Sequence, residues 1–155
     1  MTSTILTTRA QIIDKLGQFD WYVALSRGGL PVAGFLSYIT GIKQIDTLNI
    51  WSYEDKSQGE IHFIDKDFGH IQAMRVLIID DLVDSGKTLL EAKSHLESFG
   101  PSKIETFVMI KKTCTTVEPT FYLEEAEPDK WINFIWDDKS KNLLDLVIPQ
   151  ADDRN

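Results

Sequence analysis

The stretch Val76-Leu77-Ile78-Ile79-Asp80-Asp81-Leu82-Val83-Asp84-Ser85-Gly86-Lys87-Thr88 constrains this chain more than any other. Its first four residues are a continuous apolar run, the pattern of a strand buried on both faces of a parallel sheet. Residues 80–88 then read as a loop, and Leu89, Leu90, Ala92, Lys93 and Leu96 mark a helix that ends near Gly100. Strand, loop and helix in that order place backbone N–H groups, two hydroxyls and a lysine at a helix N-terminus, where the dipole favours an anion. A monophosphate suits residues Asp84 to Thr88. Thr88 and Glu91 have capping-box spacing, which predicts the helix start.

Asp80 and Asp81 sit at the carboxyl end of the same strand. Adjacent carboxylates there can accept ribose hydroxyls or bind a hard cation such as Mg²⁺, and a solvated acidic turn is the alternative for an isolated pair. Gly86-Lys87-Thr88 matches the end of a nucleotide-triphosphate loop, G-x-x-x-x-G-K-[ST], but Asp81 occupies the first glycine position. A carboxylate there would crowd and repel the phosphates, which excludes an ATPase or GTPase.

A second glycine turn follows another short apolar run. Trp21-Tyr22-Val23-Ala24-Leu25 leads into Ser26-Arg27-Gly28-Gly29, with Pro31 at a helix-starting position and the helix running to about Ile39 before Gly41. Thr47 to Trp51 supplies the next strand, which completes a βαβ unit. Thr8 caps a first helix bearing Ile12, Ile13 and Leu16 and ending at Gly17. Phe107 to Ile110 is a further strand, and Trp131 to Trp136 a last short one. From Ser52 to about Gly69 the chain is polar, with weak alternation over Glu60 to Ile64 that suggests a hairpin or lid. Strands alternating with helices predict an α/β fold, a mostly parallel Rossmann-like sheet flanked by helices, with ligands beyond the strands' carboxyl ends.

The 155 residues suit a single domain, residues 1–155. A net charge of −8 argues against a non-specific nucleic-acid binder, which needs a broad basic surface. Cys114 is the only cysteine, so no intrachain disulfide is expected, and no apolar run approaches a membrane span or a usual secretion signal. The expected setting is the cytoplasm.

The stretch from Val76 to Thr88 resembles the phosphoribosyl pyrophosphate (PRPP) fingerprint of the type I phosphoribosyltransferases: an apolar strand, two acidic residues, two apolar residues, then Asp-[Ser/Thr]-Gly-x-Thr. Ser26-Arg27-Gly28-Gly29 is similar to that family's pyrophosphate loop, in the form found in bacterial xanthine-guanine and archaeal hypoxanthine-type enzymes. Trp131-Ile132-Asn133-Phe134-Ile135-Trp136-Asp137 is similar to the purine-binding segment of the same subgroup, with Ile135 in place of a proline. The resemblance, which spans about Val23 to Asp137, implies the type I phosphoribosyltransferase fold with a small C-terminal hood, and transfer of a phosphoribosyl group from PRPP to a 6-oxopurine in purine salvage.

By the same resemblance Ser26, Arg27, Gly28, Gly29, Asp80, Asp81, Asp84, Ser85, Gly86, Lys87 and Thr88 bind PRPP. Asp84 is the catalytic base, and Asp80, Asp81 and Asp137 face Mg²⁺. Trp131 stacks on the base, the Ile132 backbone meets the base edge, and a lysine contacts its 6-oxo group. Counting to Pro119 and Trp131 favours Lys112 for that contact, while the string Ile110-Lys111-Lys112-Thr113 supports Lys111. A protonated lysine donor opposes adenine, whose 6-amino group is also a donor. The resemblance further implies a cis peptide at Ser26-Arg27, a mobile loop starting near Ser52-Tyr53, and a homo-oligomer, dimer or tetramer. A phosphoribosyltransferase for another base, or a non-enzymatic nucleotide sensor acting on transcription, are the alternatives.

Overall fold

In a computed structural model, which describes residues 2–52 and 59–149, the apolar run around Ile78 lies in the middle of a seven-stranded sheet. That central strand, β5 (Arg75–Val83), is flanked on one side by β2 (Trp21–Ser26), β3 (Ile45–Ser52) and the short β4 (Ile61–Phe63). On the other side lie β6 (Lys103–Lys112), β7 (Phe121–Ala126) and the two-residue β1 (Thr4–Ile5). All neighbours are parallel except β3 and β4, so the alternation seen over Glu60 to Ile64 is the outer arm of an antiparallel pair.

Side chains alternate across the strands, and the apolar runs therefore feed two cores. Val23, Leu25, Val76 and Ile78 face α3 (Lys87–Glu97), meeting its Leu89, Ala92 and Leu96. Tyr22, Ala24, Leu77 and Ile79 face the opposite layer, where α1 (Arg9–Leu16) contributes Leu16 and α2 (Gly29–Thr40) contributes Val32, Ala33 and Leu36. Each fully buried Val, Leu, Ile or Phe side chain contributes about 1.5–3 kcal/mol, so β2 and β5 are anchored from both faces.

Thr8 caps α1 as expected: its side chain accepts from the Gln11 amide, and Gln11 returns the bond to the Thr8 backbone. Three expectations are corrected. β5 does not stop at Ile79 but continues through Asp80 and Asp81 to Val83, because β6 extends alongside and offers backbone partners as far as Lys111. Tertiary pairing here overrides the low strand preference of aspartate. α2 begins at Gly29 rather than at Pro31, which sits within the first turn where its missing N–H costs little. Trp131 to Trp136 is not a strand; it is irregular and ends in a 3₁₀ turn, Ile135–Asp137. A strand needs a partner, and none of the seven strands pairs with this segment, which leaves the sheet after β7.

β6 and β7 are parallel neighbours, yet no helix connects them. Residues 113–120 run directly back along the sheet, a short link for a parallel pair. Beyond β7, residues 127–142 form an irregular hood, followed by the short α4 (Leu143–Val147). Among the described residues no helix is long and apolar enough to cross a membrane.

Candidate active site

Both glycine turns and the acidic pair converge at the carboxyl edge of β2 and β5. Asp80 and Asp81 lie toward the carboxyl end of β5, half-buried, with the Asp81 amide donating to Asp80 Oδ1 at 2.9 Å. Burial, and then the adjacent Asp81 charge, push the Asp80 carboxyl well above the usual carboxylate range. Burial raises Asp81 too, and the Asp137 charge adds to the effect. Dehydrated carboxylates crowded together gain from hydroxyl donors or a divalent cation. That is the chemistry a ribose diol and Mg²⁺ supply, so the residues fit the ion. Among the described residues no three His, Cys, Asp or Glu side chains form a cage. A Mg²⁺ here would complete its shell with phosphate oxygens and water, its usual habit at phosphate sites.

The Ser26-Arg27-Gly28-Gly29 turn is seated on this edge. Its Ser26–Arg27 peptide is cis, Ser26 Oγ donates to Asn49 Oδ1, and the Arg27 side chain is exposed. A Cβ on Gly28 would lie 2.5 Å from the Asp81 carboxylate, and one on Gly29 would collide with the Ile79 carbonyl. The glycines are thus required first by the close approach of the turn to β5. That approach places Ser26 and Gly28 beside Asp80, Asp81 and Thr88 around a cavity of 300 Å³.

On the other side of Asp81 lies a second cavity, of 350 Å³, lined by Asp81, Asp84, Lys112, Trp131, Ile132 and Asp137 among others. Lys112 is only 5% exposed. Its ammonium donates to the carbonyls of Glu127 (2.9 Å), Pro128 (3.4 Å) and Lys130. Three donors meet three acceptors, so Lys112 both faces the cavity and ties down the hood. Lys111, its alternative, points the other way: it pairs with Glu118 at 2.9 Å and Glu125 at 3.3 Å and sits over the Tyr122 ring. Alternation along β6 separates the two. Trp131 is 83% exposed at the rim, its indole N–H donating to Asn133 Oδ1 at 2.9 Å. Asp137 accepts from the Phe134 amide at 3.1 Å, and the Phe134 ring stacks on Trp136.

The phosphate loop differs in detail from expectation. Gly86, at φ +94°, is the N-cap of α3 and provides no side-chain cap, so the capping box expected of Thr88 and Glu91 does not form. The strand runs on to Val83, which leaves only Asp84 to Gly86 to turn the chain, and Thr88 falls inside the first helical turn, facing the smaller cavity. Lys87 turns its ammonium to the Gly59 carbonyl at 2.7 Å and toward Glu91, while its amide donates to Ser85 Oγ. Its charge therefore lines neither cavity. Ser85 is exposed. The lid expected to start at Ser52-Tyr53 lies mostly outside the described residues.

One group of residues near the site was not anticipated. The link after β6 passes behind the phosphate loop, where the Thr116 amide and hydroxyl both donate to the Ser85 carbonyl at 3.3 Å. Val117 and Thr115 lie so close to Gly86 that a Cβ there would be 2.5 Å from Val117. The Cys114 thiol is 3.5 Å from Asp84 Oδ1. The segment carries no recognisable motif, and only the unusual short link brings it here.

This mostly parallel sheet with its helices has the type I phosphoribosyltransferase fold, and comparison with known proteins agrees. The family model described as "Phosphoribosyl transferase domain" matches residues 6–141, and the chain belongs to that family. It is 32% identical over 127 residues to a xanthine-guanine phosphoribosyltransferase of Chromohalobacter salexigens, covering 82% of this chain and 73% of that enzyme. The crystal structure of a purine phosphoribosyltransferase from Pyrococcus horikoshii is 28% identical, with a TM-score of 0.70 and coverage of 88% of this chain and 94% of that one. The xanthine-guanine-hypoxanthine phosphoribosyltransferase of Helicobacter pylori, 24% identical, shares the fold with a TM-score of 0.70 over 87% of this chain and 90% of that one.

Proposed function

We propose that this phosphoribosyltransferase moves the 5-phosphoribosyl group of PRPP onto a 6-oxopurine, forming a nucleoside monophosphate and pyrophosphate in purine salvage. The observation that carries the reading is the nearly buried Lys112 ammonium in the base-side cavity, next to the acidic pair on β5. A fixed donor there donates to a purine O6 and repels the 6-amino group of adenine. Because the hood carbonyls already use all three protons, O6 takes the place of the longest bond, the one to Pro128 at 3.4 Å. The flat, exposed ring of Trp131 at the rim provides a stacking surface.

N9 of the base attacks C1 of the ribose as the C1–O bond to pyrophosphate breaks, through an oxocarbenium-like state. Asp80 and Asp81 hold the ribose hydroxyls, and Asp84, which lines the base side, accepts the proton from N7. Arg27 and the amides of its turn hold the departing diphosphate, the kind of preorganised donors that contribute about 3 kcal/mol each. Bound Mg²⁺, held from Asp80 and Asp81 with Asp137 nearby, would supply charge neutralisation for the diphosphate. Ser85, Gly86 and Thr88 take the 5′-phosphate at the start of α3.

The reading includes a cytoplasmic enzyme assembled from two or four copies. Phe35 and Tyr38, 59% and 92% exposed on α2, suit such an assembly. The test is nucleotide formation from PRPP and Mg²⁺ with guanine, xanthine, hypoxanthine and adenine in turn. Turnover of the oxopurines with poor use of adenine is expected. Equal use of adenine and guanine overturns the oxopurine assignment, and nucleotide binding without turnover of any base turns the reading toward a sensor.

A further inference from the structure

The link between β6 and β7 begins at the base cavity and passes behind the phosphate loop, so its residues touch both halves of the site. Its start is fixed by backbone bonds: the Thr113 amide donates to Ala126 O at 2.9 Å and the Thr115 amide to Lys112 O at 3.1 Å. Cys114, held between them, directs its thiol at Asp84, with Sγ 3.5 Å from Oδ1 and 3.9 Å from the Asp84 carbonyl. Asp84 itself is exposed at the turn beyond β5. Two side-chain torsions are then left to choose where its carboxylate points, and catalytic geometry tolerates little error in that direction.

We infer that Cys114 is a positioning residue for Asp84, its thiol orienting the carboxylate toward N7 of the bound purine. The inference rests on the reading of Asp84 as the proton acceptor. The weakness of the donor is what suits it to the task. An ammonium or guanidinium in the same place would stabilise the carboxylate strongly and make it a poor base, whereas S–H is a weak donor that selects an orientation at little expense of basicity. Its spacing also fits, because Lys112 and Cys114 leave the same short segment and lie on the two sides of the base: one meets O6, the other backs the acceptor of the N7 proton. The link thereby sets the relation between oxo-group recognition and proton removal.

The contact has a second consequence that can be read without substrate. Dehydration, and then the Asp84 carboxylate, raise the Cys114 thiol above its ordinary pKa. Cys114 is the chain's only cysteine, so alkylation by iodoacetamide reports on it alone, and Asp84→Asn should quicken that alkylation at a fixed pH.

The kinetic test compares Cys114→Ala and Cys114→Ser in the wild-type and Asp84→Asn backgrounds, with guanine or hypoxanthine and varied PRPP. Cys114→Ala should lower kcat by about threefold to tenfold, the size of coupling usual between contacting residues, and leave KM for PRPP within about twofold. Cys114→Ser, which keeps a donor, should restore most of kcat. In the Asp84→Asn background the alanine change should cost nothing further. An equal loss in both backgrounds, a serine variant as poor as the alanine one, or alkylation indifferent to Asp84→Asn each overturns the inference. A wild-type enzyme inert toward every 6-oxopurine overturns the functional reading instead, and a Cys114→Ala enzyme with normal kcat on a good oxopurine overturns the role of Cys114 alone.

Discussion

The PRPP-side cavity is walled by strand ends and by glycines pressed against β5, whereas the base-side cavity is closed by residues 127–137, which belong to no sheet. The first wall is held by two apolar cores and a continuous parallel ladder. The second has thinner apolar support, with Trp136 packed against the core. Trp131 and Ile135 are exposed, and the side chain that secures the hood is Lys112, through three carbonyls. In the proposed reading, phosphate geometry is therefore built into the fold, while base recognition rests on one buried ammonium that also shapes its own pocket. Substitutions on the two sides should fail in different ways.

The largest effect is expected at Asp84, which lines the base-side cavity at the turn beyond β5. Asp84→Asn keeps the side-chain size and removes the basic carboxylate, so kcat should fall by roughly 10²- to 10⁴-fold, with PRPP affinity by calorimetry little changed. Undiminished kcat would show that the N7 proton is taken elsewhere.

Next comes the lysine pair. Lys112→Ala removes the O6 donor and leaves three hood carbonyls without it, so the KM for the base should rise by about tenfold or more, the cost of one or two charged hydrogen bonds, while KM for PRPP changes little. Lys111→Ala should spare base affinity and act on stability, because its partners are Glu118 and Glu125 at the far side of β6. Steady-state kinetics with each substrate varied distinguishes them. A rise in KM for PRPP equal to that for the base would dissolve the division between the two cavities.

On the phosphate side, Gly86→Ala should lower stability by about 1–3 kcal/mol in urea unfolding, since residue 86 has a left-handed backbone and Val117 stands where the Cβ must go. Thr88→Val sharpens the contrast. Because Gly86 rather than Thr88 caps α3, its effect on stability should stay within about 0.5 kcal/mol, and the change should appear as a higher KM for PRPP.

The smallest effect is expected at the opposite edge of the sheet. Arg75 donates to Asp20 through its side chain and backbone, holding the Asp20 carboxyl below its usual range. A depressed folded-state pKa stabilises the protein above the ordinary carboxylate range, and this contribution is lost as pH falls through the lowered value. Asp20→Asn should accordingly lower Tm slightly at neutral pH, with the difference from wild type vanishing in acid and shrinking in salt. Catalysis should not respond.

Much of the phosphate side is legible in the amino-acid sequence, because its signals are local. An apolar run, two carboxylates and Asp-Ser-Gly-Lys-Thr specify strand, turn and helix within a few residues, and Thr8 with Gln11 specifies a cap. The glycines of residues 28 and 29 are legible as a close-approach turn, though not the surface approached: that surface is β5, far away in sequence.

What tertiary structure decided was the neighbour of each segment. Asp80 and Asp81 became strand because β6 runs beside them, and Trp131 to Trp136 did not because the chain pairs it with no strand. The choice of Lys112 over Lys111 depends on which face of β6 meets the cavity, a difference of one residue that flips the side chain to the other side of the sheet. Cys114 belongs to the same category. Nothing in its surroundings along the chain marks it, and only the helix-free link between two parallel strands carries its thiol to Asp84. Local conformation follows from side-chain pattern and turn chemistry, but contact between distant residues follows from strand order and register, which short-range preferences do not encode.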